Sequence, residues 1–136
     1  VDACCLSQDF DQMPDGDSTF IGQRGINLSG GQKSRTALAR AVYADSDVYI
    51  LDDVFAALDS IVARKVFERV VLGLLRFKTR IIVTHKEDII SHSAVGRCLE
   101  VVGGEVREVG NYVESEENLF NRVVTSISVV PYQWSE

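Results

Sequence analysis

The chain has 136 residues, 46% of them hydrophobic and 25% charged, the balance of one soluble-type globular domain and not of a disordered chain. Fourteen Lys and Arg stand against 20 Asp and Glu, a net charge of −6 that excludes a broad basic footprint for nucleic acid. No apolar run approaches the ~18 residues that cross a membrane. The three cysteines, Cys4, Cys5 and Cys98, form no C-x-x-C pair and are read as reduced thiols, not zinc ligands.

The chain opens Val1-Asp2, without an initiator Met. Residues 10 to 29 are polar and turn-rich, with Met13-Pro14-Asp15-Gly16 as a turn signal. A helix is expected from Gly30, with Ala37, Leu38, Ala41 and Val42 on its apolar face. Asp47-Val48-Tyr49-Ile50-Leu51 reads as a short buried strand ending in Asp52-Asp53. A second helix follows over roughly 60–77, with Val62, Val66, Phe67, Val70, Val71, Leu74 and Leu75 facing the core.

Thr79 to Thr84 is another buried strand, with His85 at its end, and a short helix is expected around 87–92. Gly103-Gly104 is a two-residue hairpin signal between strands 97–102 and 105–109. A last helix over 116–123 and a linker or tail over 125–136 complete the expectation. Strand, long helix and strand in succession mean a βαβ unit and a parallel sheet. Ligands of such sheets bind beyond the carboxyl ends of the strands, where Asp52, Asp53 and His85 fall.

In Leu28-Ser29-Gly30-Gly31-Gln32, Ser29 has the spacing to form a capping box with Gln32. The glycines admit close approach to the backbone, and a helix N-terminus presents free N–H groups to phosphate. A strand that delivers Asp52 suits Mg²⁺ near nucleotide phosphates, while Asp53 can orient or activate water and His85 can meet a phosphate. A solvated Asp-Asp turn and a structural histidine are the plain alternatives. Asp59 is an N-cap candidate for the helix beginning near Ser60.

Together these residues resemble the nucleotide-binding domain of ABC ATPases. Leu28 to Gln32 is similar to the family's signature motif, Tyr49 to Asp52 to its Walker B strand, Ala56 to Asp59 to its D-loop, and His85 to its switch histidine. Pro14 to Asp17, the Ile21 to Asn27 lead-in and Leu38 to Tyr43 resemble exporters. Asp53, where most members have Glu, resembles the first nucleotide-binding domain of the multidrug-resistance-associated C subfamily. No G-x-x-x-x-G-K-[ST] phosphate loop occurs in the sequence, so the expectation is an incomplete record of a longer chain.

The resemblance implies a partial α/β P-loop NTPase of ABC type: part of the helical signature subdomain over 1–45 and the C-terminal part of the ATPase core over 46–124. It implies ATP and Mg²⁺ as cofactors. Leu28, Ser29, Gly30, Gly31 and Gln32 would serve the ATP of a second nucleotide-binding domain in a head-to-tail dimer. Asp52 would hold Mg²⁺, Asp53 would stand at the general-base position, His85 would touch the γ-phosphate, and Asp59 would lie at the dimer interface. Transmembrane domains of the same transporter would be the other partner, at the cytoplasmic face of a membrane, with no nucleic acid bound. The competing readings are a soluble ABC-type ATPase of DNA repair or chromosome maintenance, and a non-hydrolytic regulatory module.

Overall fold

The computed structural model describes residues 1–108 and 123–128. A 3₁₀ turn at Asp2–Cys4 leads into α1 (Ser7–Asp11), and further 3₁₀ turns follow at Gly16–Ser18 and Gln23–Gly25. Then come α2 (Gly30–Tyr43), β1 (Val48–Asp52), α3 (Ser60–Val66), β2 (Thr79–Val83), α4 (Glu87–Ile90), β3 (Arg97–Val102), β4 (Glu105–Glu108) and β5 (Val123–Ser128). The sheet order is β1-β2-β5-β3-β4. β1, β2, β5 and β3 run parallel, and only β4 is antiparallel, joined to β3. Both glycines of the β3–β4 turn have positive φ, 58° and 84°, as a primed hairpin turn requires.

Helices α2 and α3 begin where the sequence places caps. Ser29 and Gln32 form the reciprocal capping box on α2, and Asp59 accepts the Val62 N–H on α3. The core joins the two helices to the inner face of β1 and β2 through Leu38, Leu51, Phe55, Val66, Phe67, Val70 and Ile82, among others. Phe67 meets Phe55 and the His92 ring edge-on, at centroid distances of 6.2 and 5.2 Å.

Several expectations need correcting. The expected second helix is α-helical only to Val66; from Phe67 to Leu74 it winds as a π-helix, with Leu75 N–H donating to the Val70 carbonyl five residues back. The wider turn rotates Leu75 into the core (2% exposed) and Leu74 out of it (58%), whereas an α-helix would bury both. On α2 the inward face is Leu38 with Ala39 and Val42; Ala37 and Ala41 are exposed.

Among the described residues strand β1 pairs with β2 and no other strand, and it is half-covered: Tyr49 and Leu51 are buried, Val48 and Ile50 exposed. Residues 125–128, expected in a tail, continue the strand β5, which suits the β-branched Val123-Val124-Thr125 and Ile127. The expected helix over 116–123 lies outside the described residues except for Val123, which is in β5, and Val109 lies outside them too. Among the described residues no helix is long and apolar enough to cross a membrane.

Candidate functional site

Parallel pairing places Asp52 opposite Val83, so the carboxyl ends of β1 and β2 lie side by side. The ladder runs one step further, with Asp53 N–H donating to the Val83 carbonyl at 2.8 Å. Asp53 and His85 thus leave adjacent strands at the same sheet edge. Asp52 and His85 are exposed and Asp53 is half-buried. Thr84, between the strand and His85, is fully buried, and its hydroxyl accepts the Lys86 N–H, which fixes the exit of the chain around the histidine.

Asp53 adopts φ 48°, in the left-handed region that Asp enters more readily than most residues. This reverses the chain after β1, and Ala56 N–H closes the turn on the Asp53 carbonyl. The returning segment carries Ala57, Leu58 and Asp59 to the N-terminus of α2. There a Cβ added to Gly31 would stand 3.0 Å from the Ala57 carbonyl oxygen and 3.3 Å from Leu58 Cδ2. At Gly30 the nearest atom would be Ala57 Cβ at 3.5 Å. Gly31 is therefore a close-approach glycine, pressed against the segment that leads into α3.

At the start of α2, Ser29 Oγ accepts the Gln32 N–H at 3.2 Å and Gln32 Oε1 accepts the Ser29 N–H at 2.9 Å. The Ser29 hydroxyl keeps its own hydrogen to donate outward, and the Gly30 and Gly31 N–H groups have no intrahelical acceptor. With the positive end of a 14-residue helix behind them, these donors suit an anionic oxygen. Asp59, whose Oδ1 accepts Val62 N–H at 2.9 Å, has its carboxyl held below the usual carboxylate range by that bond, against a smaller opposing effect of desolvation.

The structure thus brings together two groups. Asp52, Asp53 and His85 share one sheet edge. Gly30 and Gly31 lie against Ala57 and Leu58, and Leu28 is half-buried before the cap. The hydrogen bonds of Ser29 and Gln32 run to each other and to Asp9, not to the sheet-edge residues. Asp52 offers a hard carboxylate oxygen of the kind Mg²⁺ takes. Among the described residues no group of three or more His, Cys, Asp or Glu could hold a metal ion.

Two residues around the capped N-terminus of α2 gave no plain sign of their role in the sequence. Asp9 accepts Gln32 Nε2, and Arg35 pairs with Asp9. Arg35 could have been suspected from its helical spacing to Gly31, but Asp9 stands 23 positions before Gln32 and gives no local signal. A cavity of about 430 Å³ near Cys5, Asp9, Arg35 and Arg69 includes none of the sheet-edge residues. The cysteines are free thiols; burial raises the pKa of Cys4 and of Cys98, which disfavours their thiolate forms.

The ABC transporter family model matches residues 6–56. The chain is 45% identical over 125 residues to Bile pigment transporter 1 of Saccharomyces cerevisiae, covering 90% of this chain and 8% of that protein. It is 44% identical to ATP-binding cassette sub-family C member 3 of Mus musculus (82% of this chain, 7% of that protein). It is likewise 44% identical to ABC transporter C family member 6 of Arabidopsis thaliana (84% and 8%). The chain spans less than a tenth of the length of these relatives.

Proposed function

The chain belongs to the ABC transporter family, of the kind found in the multidrug-resistance-associated C subfamily, and on that premise we propose that it forms part of the ATP-binding and ATP-hydrolysing domain of an exporter. In this reading residues 1–45 belong to the helical signature subdomain and 46–124 to the P-loop NTPase core. The observation that carries it is the capped N-terminus of α2, with free donors at Gly30 and Gly31 and Gly31 seated on the Ala57 carbonyl.

Ser29, Gly30, Gly31 and Gln32, with Leu28 anchoring the turn, cover the γ-phosphate of an ATP held by a second nucleotide-binding domain. Asp52 helps hold Mg²⁺ at this domain's own ATP, a metal that supplies charge neutralisation on the phosphates. Asp53 faces the attacking water there, and the His85 imidazole meets the γ-phosphate. Asp59 lies at the interface between the two domains. The transmembrane domains of the same protein convert closure of this dimer into transport, with the ATPase at the cytoplasmic face of the membrane. Asp53, one methylene shorter than Glu, makes this domain's own site the weaker of the two and keeps a non-hydrolytic regulatory role as the second reading.

ATP turnover by the full-length transporter tests this reading. Asp52→Ala and His85→Ala are expected to abolish turnover at the site they serve, and turnover unchanged by either overturns the assignment. The purified 136-residue chain, whose sequence holds no G-x-x-x-x-G-K-[ST], is expected to be inert. Hydrolysis by it that Asp52→Ala removes would refute that.

A further inference from the structure

We propose that Asp9, paired with Arg35, is a positioning residue for the signature: it sets which way the Gln32 side-chain amide faces. This rests on the reading of the Leu28 to Gln32 turn given above. The Gln32 amide must present Oε1 to Ser29 N–H for the capping box to close, and it does so at 2.9 Å. A flipped amide would set its NH₂ against that N–H, donor against donor. The Ser29 N–H holds one end of the amide only. Asp9 locks the same orientation from the other end, because its carboxylate only accepts, and it takes the Nε2 hydrogen at 2.9 Å on Oδ1.

Arg35 holds Asp9 in that role. Its Nη1 lies 2.7 Å from Asp9 Oδ2, an ion pair set at an angle that is not a hydrogen bond. The two side chains are only 12% and 16% exposed, so the pair is screened far less than a surface one. The same guanidinium donates from Nε to the Gly31 carbonyl at 3.3 Å and from Nη1 to the Cys5 carbonyl. One cation therefore ties the upstream segment that carries Asp9 to the helical turn that carries Gly31 and Gln32. When Asp9 is lost, the Ser29 N–H alone holds the amide, the box loosens, and the donors of Ser29, Gly30 and Gly31 lose part of their common aim. Asp9 itself touches no nucleotide.

The test is a double-mutant cycle on ATP turnover by the full-length transporter. Asp9→Ala is expected to lower kcat about tenfold with KM for ATP nearly unchanged, the fold-change that loss of one charge-assisted hydrogen bond carries. Asp9→Asn keeps an oxygen acceptor for Nε2 and is expected to fall between the wild type and Asp9→Ala. In a Gln32→Ala background Asp9→Ala is expected to have no further effect, because its target is already gone. Additive losses would assign Asp9 to general packing and overturn the proposal, as would equal losses in Asp9→Asn and Asp9→Ala. Failure of both Asp9 variants to accumulate as folded protein overturns it as well. Turnover that Gln32→Ala leaves intact overturns the signature reading itself, and this inference with it.

Discussion

Gly30 and Gly31 stand in different surroundings, and replacing each with Ala should separate two roles. A Cβ at Gly31 would sit 3.0 Å from the Ala57 carbonyl oxygen and 3.3 Å from Leu58 Cδ2, so one neighbour must give by a few tenths of an ångström. Neither gives easily. Leu58 is 7% exposed in the core, its N–H is bonded to the Phe55 carbonyl, and Asp59 next to it caps α3. Overpacking of this kind costs about 1–3 kcal/mol, from which Ala recovers ~1 kcal/mol in helix propensity, a net loss of up to about 2 kcal/mol.

At Gly30 the nearest atom is Ala57 Cβ at 3.5 Å, an ordinary contact, so Gly30→Ala should leave stability unchanged or slightly raised. Its methyl would nevertheless stand at the mouth of the helix, where an anionic oxygen approaches. Thermal inactivation and ATP turnover of the full-length transporter are the readouts. Gly31→Ala should lower both; Gly30→Ala should lower turnover alone. If Gly30→Ala destabilises as much as Gly31→Ala, or if Gly31→Ala is silent, the seating of the signature on Ala57 is wrong.

Asp53→Glu should raise single-turnover hydrolysis at this domain's own site, since the longer side chain extends toward the water from a backbone already in the left-handed region; an unchanged rate refutes the weak-base reading. Asp59 has a folded pKa below its unfolded one, so the stability it contributes is fully present above the unfolded value of about 4 and is lost as pH falls through the lower folded value. Asp59→Asn, which can still cap α3, should remove that acid-side loss in pH-dependent unfolding, and an unaltered acid profile would discount the cap. In the π-wound segment, Leu75→Ala should cost about 2–5 kcal/mol and Leu74→Ala less than about 0.5 kcal/mol in urea unfolding, and the reverse order would restore the α-helical phase.

Legibility followed the range of the interactions. The capping box of Ser29 and Gln32, the cap at Asp59 and the Gly103-Gly104 turn rest on partners within three residues, and each was readable from spacing. Asp52 and His85 were readable because apolar strands announce their own ends. Leu74 and Leu75 were not separable, because both fit a 3.6-residue period and the change to a π turn leaves no mark in composition. The role of β1 was half-readable: its apolar residues mark a strand, but only Tyr49 and Leu51 are covered. Asp9 was invisible, since its partners arrive by tertiary folding.

These contacts have one consequence for the site as a whole. The left-handed turn at Asp53 returns the chain so that Ala57 meets Gly31; Gly31 shares a turn with Gln32, and Gln32 is held by Asp9 and Arg35. A contiguous path of backbone and hydrogen bonds therefore runs from Asp53 to the free donors at the N-terminus of α2. Contact alone does not make that path a coupling device; coupling requires two discrete arrangements that both ends bias. The Asp53 turn supplies a backbone in a sparsely populated region, and the first turn of α2 lies close to Ala57 at Gly31, where a Cβ would not fit without a shift. A shift of the carboxylate at Asp53 must then be absorbed by residues 54–58 or passed to the first turn of α2. The buried Phe55 and Leu58 within that segment leave little room for absorbing it.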